Sequence, residues 1–133
     1  MPHTIVNPEG LHDPVPRGYS HSVAVSAGSE LVLIAGQYGS TPQGEIISMD
    51  FDEQVKQTFQ NIGTALAAHG MNYSDVVQLR TYVVDHDVSK LGPIGAAVHA
   101  TFGTPPPTQT IIGVASLATP DVLFEVETVA VRR

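Results

Sequence analysis

A chain of 133 residues, 42% apolar and 14% charged, can bury one core but is too short for two domains and too apolar for disorder. Its formal net charge of −7 disfavours nucleic acid and anionic membrane surfaces, which both recruit clustered cations. The absence of cysteine excludes disulfides, thiolate catalysis and thiolate-bound zinc; with no basic-then-apolar leader and no bilayer-length apolar run, the expectation is a cytoplasmic protein.

Residues 1–18, rich in proline and glycine, read as an irregular arm. From 19 to 25 the pattern alternates, with Val23 and Val25 on one side. Ala27-Gly28-Ser29-Glu30 supplies a turn before the apolar run Leu31-Val32-Leu33-Ile34-Ala35-Gly36, so the spacing predicts a β-hairpin. Pro42-Gln43-Gly44-Glu45 is a second turn signal, between short strands near 37–39 and 46–47. Asp50 is a good N-cap, with Glu53 in capping-box position. Val55, Phe59, Ile62 and Leu66 then form one helical stripe that Gly70 ends.

Val77, Leu79, Thr81 and Val83 alternate with Gln78, Arg80, Tyr82 and Val84, a strand that Asp85-His86-Asp87 breaks by a turn with helix capping. A second helix runs from about 89 to 102, its first turn weakened by Gly92, Pro93 and Gly95. After the stiff prolines at 105–107 come strands near 108–114 and 122–131. The order predicts one α+β domain over residues 1–133, a single mixed sheet with two helices on one face. In the last strand Val122, Phe124 and Val126 share one side, while Leu123, Glu125, Glu127 and Val129 share the other. Carboxylates beside apolar groups on the helix-free side point to an oligomer interface holding a polar cavity.

These pieces resemble the Rid family (YjgF, reactive-intermediate deaminase). Leu33-Ile34-Ala35-Gly36-Gln37 is similar to its strand ending in Ser/Ala-Gly-Gln, and Gln57, Asn61 and Ile62 to its first-helix pattern. Tyr82-Val83-Val84-Asp85 matches a main strand, and the segment from Val122 to Val131 matches the terminal Val-x-Ile/Val-Glu-Ile/Val-Glu-x-x-Ala. The match covers about residues 17–132. The resemblance implies a chorismate-mutase-like α+β fold, a homotrimer, a small-molecule ligand in each intersubunit cleft, and no cofactor or metal. In deaminating members these clefts hydrolyse imines and enamines of 2-amino acids.

By residue, the resemblance places Tyr19 at the family's substrate-packing tyrosine and Glu125 at its water-positioning glutamate. Gln109 stands where the family has a carboxylate-binding arginine, in Pro107-Thr108-Gln109-Thr110 against Pro-x-Arg-Ser, and Ile111 follows where Cys or Thr is usual. In Ala35-Gly36, at the pocket, the alanine replaces a frequent serine, and Gly95 replaces a frequent asparagine. A neutral amide cannot balance a carboxylate, whereas arginine gives charge-assisted bonds of roughly 1.5–3 kcal/mol each. Arg17 and Arg80 are the cations placed to substitute; a solvated arm residue and an ion pair with Glu125 or Glu127 are their structural alternatives. His21, two residues after Tyr19, is an acid–base candidate or a structural histidine. Tyr19 and Glu125 are therefore the catalytic candidates, with Gln109, Gly36, Ile111, His21, Arg80 and Arg17 around the substrate. The functional expectation is hydrolysis of an imine, enamine or related carbonyl compound with altered substrate range. A non-catalytic trimeric small-molecule binder or partner protein is the alternative, and RNA cleavage, attached to some relatives, fits the acidic charge poorly.

Overall fold

The computed structural model describes residues 3–133. Its strands are β1 (Thr4–Val6), β2 (Ser22–Ala24), β3 (Leu31–Tyr38), β4 (Val76–Val84), β5 (Thr108–Val114) and β6 (Phe124–Val131), and its helices are α1 (Phe51–Ala67) and α2 (Leu91–Phe102). Four strands form a mixed sheet in the order β3-β6-β4-β5, antiparallel except for the parallel pair β4–β5. The βαβ route from β4 through α2 to β5 accounts for that parallel pair, because two parallel neighbours need a crossover.

Alternation decides which face is covered. Val32, Ile34, Leu79, Val83, Phe124 and Val126 point to one side and are buried beneath the apolar stripes of α1 (Val55, Phe59, Ile62, Leu66) and α2 (Ile94, Val98). Phe124 is fully buried and meets Phe51 and Phe59 edge-on, with ring centroids 5.6 and 6.0 Å apart. Phe124→Ala is accordingly expected to cost about 3–5 kcal/mol, through lost transfer energy and an unfilled cavity. Urea unfolding at one fixed protein concentration should show this as a lower midpoint at an unchanged slope.

Capping at α1 is half of what the sequence predicts: the Asp50 side chain accepts from the Glu53 backbone N–H at 3.0 Å. The buried Gln54 does more. Its amide donates to the carbonyls of Ser48 (2.9 Å) and Asp121 (3.0 Å) and accepts from the Leu123 N–H (3.0 Å), fastening the start of α1 to the approach of β6. Asn61 likewise donates to the Tyr38 and Ser40 carbonyls, tying α1 to the end of β3. The second helix opens as a 3-10 turn, Val88–Lys90, capped by Asp87, which is the capping role the sequence suggests for this segment.

Three expectations are corrected. Residues 19–25 do not form a hairpin with the strand that follows; β2 pairs instead with β1, Thr4 opposite Ala24, so part of the supposed irregular arm is a strand and the molecule has a separate two-stranded ribbon rather than one sheet. Short local turns favour sequential pairing, but here the backbone groups of β2 are taken by a strand about sixteen residues earlier, held also by Ser22 Oγ donating to the Val6 carbonyl. Thus β3 is left as an edge strand, with Leu33 76% exposed and Leu31 58% exposed.

Candidate functional site

Three features set the first cleft. A 3-10 turn, Val15–Arg17, ends at Gly18, whose φ of 88° is left-handed and whose added Cβ would lie 2.8 Å from the Gly95 Cα. Only glycine lets this turn sit so close on α2. Gln109 then closes the join from β5: its amide donates to the Gly18 carbonyl at 3.1 Å and its oxygen accepts from the buried Thr81 hydroxyl at 2.7 Å. The result is a cleft of about 800 Å³ lined by Arg17, Tyr19, Leu91, His99, Gln109 and Ile111. Ile111 also packs on the core, so the cleft floor is apolar.

Gln109 is largely committed to structure. A primary amide carries two N–H donors and an oxygen with two lone pairs. The two contacts above leave one N–H and one oxygen lone pair for a ligand. His99 is committed too, through Nε2 to the Val15 carbonyl at 2.7 Å. Arg17 is exposed and makes no ion pair among the described residues, whereas Arg132 pairs with Glu30 at 2.8 Å and Arg133 with Asp75 at 3.5 Å.

Around Tyr19 three rings meet. His12 and His21 stand edge-on to one another with centroids 4.8 Å apart, and Tyr19 lies 6.0 Å from the first and 5.5 Å from the second. His12 Nε2 hydrogen-bonds the Tyr19 hydroxyl, and His21 Nε2 sits 2.8 Å from the His12 carbonyl. The His21 backbone N–H donates to the Asn7 side chain at 2.6 Å. Tyr19 and Gln109 also line a second cleft of about 770 Å³, between the β1–β2 ribbon and the helix-free face of the sheet, where His21 and Val129 contribute.

Glu125 lies elsewhere. It projects from the helix-free face, half-buried, opposite Tyr38 on one side and Tyr82 on the other, and it lines neither cleft. The ladder between β3 and β6 slips between Ile34 and Gln37, and there the Glu125 side chain lies across Gly36: a Cβ on Gly36 would be 2.7 Å from its carboxyl carbon. Gly36 is thus the floor on which this carboxylate rests. Burial, with the Glu127 charge adding to it, raises the Glu125 pKa. Two residues along, Glu127 accepts a hydrogen bond from the Tyr82 hydroxyl, which holds Tyr82 protonated and raises its pKa. Arg80 stands opposite Glu127 on the same face.

The predicted residues thus divide. Tyr19, Gln109, Arg17 and Ile111 come together, with His21 beside Tyr19; Glu125, Gly36 and Arg80 lie outside both clefts on the helix-free face. Sequence reasoning missed His12 and Tyr82. The link from Tyr82 to Glu127 follows from β4–β6 register, a diagonal cross-strand pair that is readable only once pairing is known. His12 gave no signal, because its partner is seven residues away in irregular chain. Among the described residues, no group of three or more His, Cys, Asp or Glu is placed to hold a metal, and no helix is long and apolar enough to cross a membrane.

A family model described as endoribonuclease L-PSP matches residues 12–132. The chain belongs to the Rid (YjgF, endoribonuclease L-PSP) family. Within that family it is 31% identical to the RutC family protein YjgH of Escherichia coli over 96% of this chain and 93% of that one. It is 28% identical to the 2-iminobutanoate/2-iminopropanoate deaminase of Salmonella typhimurium, over 77% of this chain and 80% of the relative. The crystal structure of the Rid protein YyfB from Yersinia pestis, described as of unknown function, superposes with a TM-score of 0.94 at 36% identity, covering 99% of this chain and all (100%) of the other.

Proposed function

We propose that this Rid-family chain hydrolyses a reactive imine, enamine or related small carbonyl compound, and that it does so as a homotrimer in clefts between subunits. The observation that carries the reading is the division of its chemistry: Tyr19 and Gln109 line both clefts, while Glu125 lines neither. Neither cleft of one chain, the α2-side one included, can bring the three together. A neighbouring copy presenting its Glu125 face to the α2-side cleft can. The exposed Leu31 and Leu33 give that face the apolar area an interface needs.

Substrate range follows from the amide. Gln109 is neutral and has one free N–H, so the reading favours substrates without a carboxylate, or with a single carbonyl oxygen to be held. Imines generated in situ by amine and amino acid oxidases, with and without the protein, test this directly. Hydrolysis of neutral imines is expected to be accelerated at least as much as that of 2-imino acids; no acceleration of any of them removes the enzyme reading. Gln109→Arg should move preference toward 2-imino acids by about 10–100-fold in kcat/KM, the worth of one or two charge-assisted bonds. The Thr81 hydroxyl loses its acceptor in that variant, so its melting temperature should fall as well.

The same commitment of Gln109 favours a second reading, a trimeric binder without turnover. Concentration-dependent thermal stabilisation by small carbonyl compounds, with no product, would select it. The family's endoribonuclease description is not adopted, because a net charge of −7 supplies little to displace counterions from RNA.

A further inference from the structure

We infer that His12 is a positioning and proton-supplying residue for Tyr19, so that the two form an acid pair at the mouth of the α2-side cleft. The inference rests on the imine-hydrolase reading and adds to it a residue that the family resemblance does not place in the site.

The geometry supplies a route from solvent to the cleft. His12 is exposed, its Nε2 meets the Tyr19 hydroxyl, and Tyr19 lines the cleft beside Gln109. The His12 ring is held in place, packed edge-on against His21 while its own carbonyl accepts from His21 Nε2. Facing a carbonyl, that His21 nitrogen must carry the proton, which fixes its tautomer and leaves it a support rather than an acid. As an imidazolium, His12 donates Nε2–H to the phenol oxygen and leaves the phenol's own proton free to point at a ligand.

In the reaction, water forms a C–O bond to the imine carbon and loses one proton to Glu125 of the neighbouring copy. The C=N π pair moves to nitrogen, which takes the Tyr19 proton, and His12 returns a proton to the Tyr19 oxygen and is itself recharged from solvent. The carbinolamine then loses its hydroxyl proton to solvent, balancing the one that entered through His12; C=O forms, the C–N bond breaks, and ammonia leaves with the proton held by Glu125. No oxidant or reductant is needed. The other titratable groups near the pair are His21, whose ring packs on both, Arg17 and His99, which line the cleft with Tyr19, and Asp13, next to His12 in the chain. Asp13 is engaged by the Val15 N–H at 3.1 Å and His99 by the Val15 carbonyl at 2.7 Å, and a guanidinium does not release a proton, so the pair's proton comes through His12.

Two measurements test the pair. His12→Gln keeps a donor to Tyr19 but cannot titrate: kcat should fall about tenfold or more. The fall in kcat on raising pH should disappear from its profile. A His12→Gln profile that keeps that limb overturns the inference. Independently of turnover, the His12 ring titration followed by NMR should shift in Tyr19→Phe, and an unmoved titration also overturns it. If the wild-type protein turns over no imine, the hydrolase reading falls, and the ring titration alone decides the pair: a shift upholds it and no shift removes it.

Discussion

Glu125→Gln is expected to lower kcat/KM for imine hydrolysis by about 100- to 10,000-fold, the range a positioned acid–base group contributes, with the oligomer intact. Its carboxylate is closely set in the fold: Gly36 is flat beneath it, Tyr38 and Tyr82 flank it, and Glu127 follows two residues on. Glutamine preserves shape and packing there but can neither take a proton from water nor return one to ammonia. The wild-type profile should carry an acidic limb above the ordinary carboxylate range, because burial and Glu127 both raise the Glu125 pKa, and that limb should be absent from the variant. Stability runs the opposite way. With the folded pKa above the unfolded one, the folded chain holds more proton in between, so stability falls as pH rises through that window. Glu125→Gln should therefore melt higher than wild type at neutral pH and no higher near pH 4. A variant that loses activity while losing stability at neutral pH would mean that the carboxylate holds the face together rather than acting on a substrate.

The contrast with the neighbouring glutamate shows how far sequence reaches in such a site. Period-two alternation from Val122 to Val129 places Glu125 and Glu127 on one side and Phe124 and Val126 on the other, and the structure has that division. Helix α1 and strands β4 and β6 were readable for the same reason: each presents an apolar stripe at a single period to one core. What alternation lacks is long-range pairing. The ribbon of β1 and β2 joins residues sixteen to twenty apart, Val6 with Ser22 and Thr4 with Ala24 in its register, and β1 is a three-residue strand without enough side chains to show a pattern. For want of that pairing, His12 could not be brought to Tyr19 on paper. Nor could a family pattern show that Gln109 clamps Gly18 and Thr81, since this depends on a 3-10 turn and a parallel neighbour that meet only in three dimensions.

Leu33→Glu is expected to turn a particle three times the 14.1-kDa chain into single chains, and to abolish turnover with the fold retained. On an isolated chain this substitution is mild, because Leu33 is 76% exposed on an edge strand and surface changes of this sort stay within about 0.5 kcal/mol. At an interface the same carboxylate would lose its water without gaining a partner, at an effective cost of several kcal/mol for each copy. Arg80, the cation on that face, stands opposite Glu127 at some remove along the sheet, while Leu33 faces Val129. Sedimentation, circular dichroism and imine turnover on one sample separate the outcomes. Single chains with native spectra and no activity place the chemistry between subunits. A trimer that survives Leu33→Glu means that the helix-free face is not where copies meet, and Glu125 would then have no cleft from a neighbour to reach into.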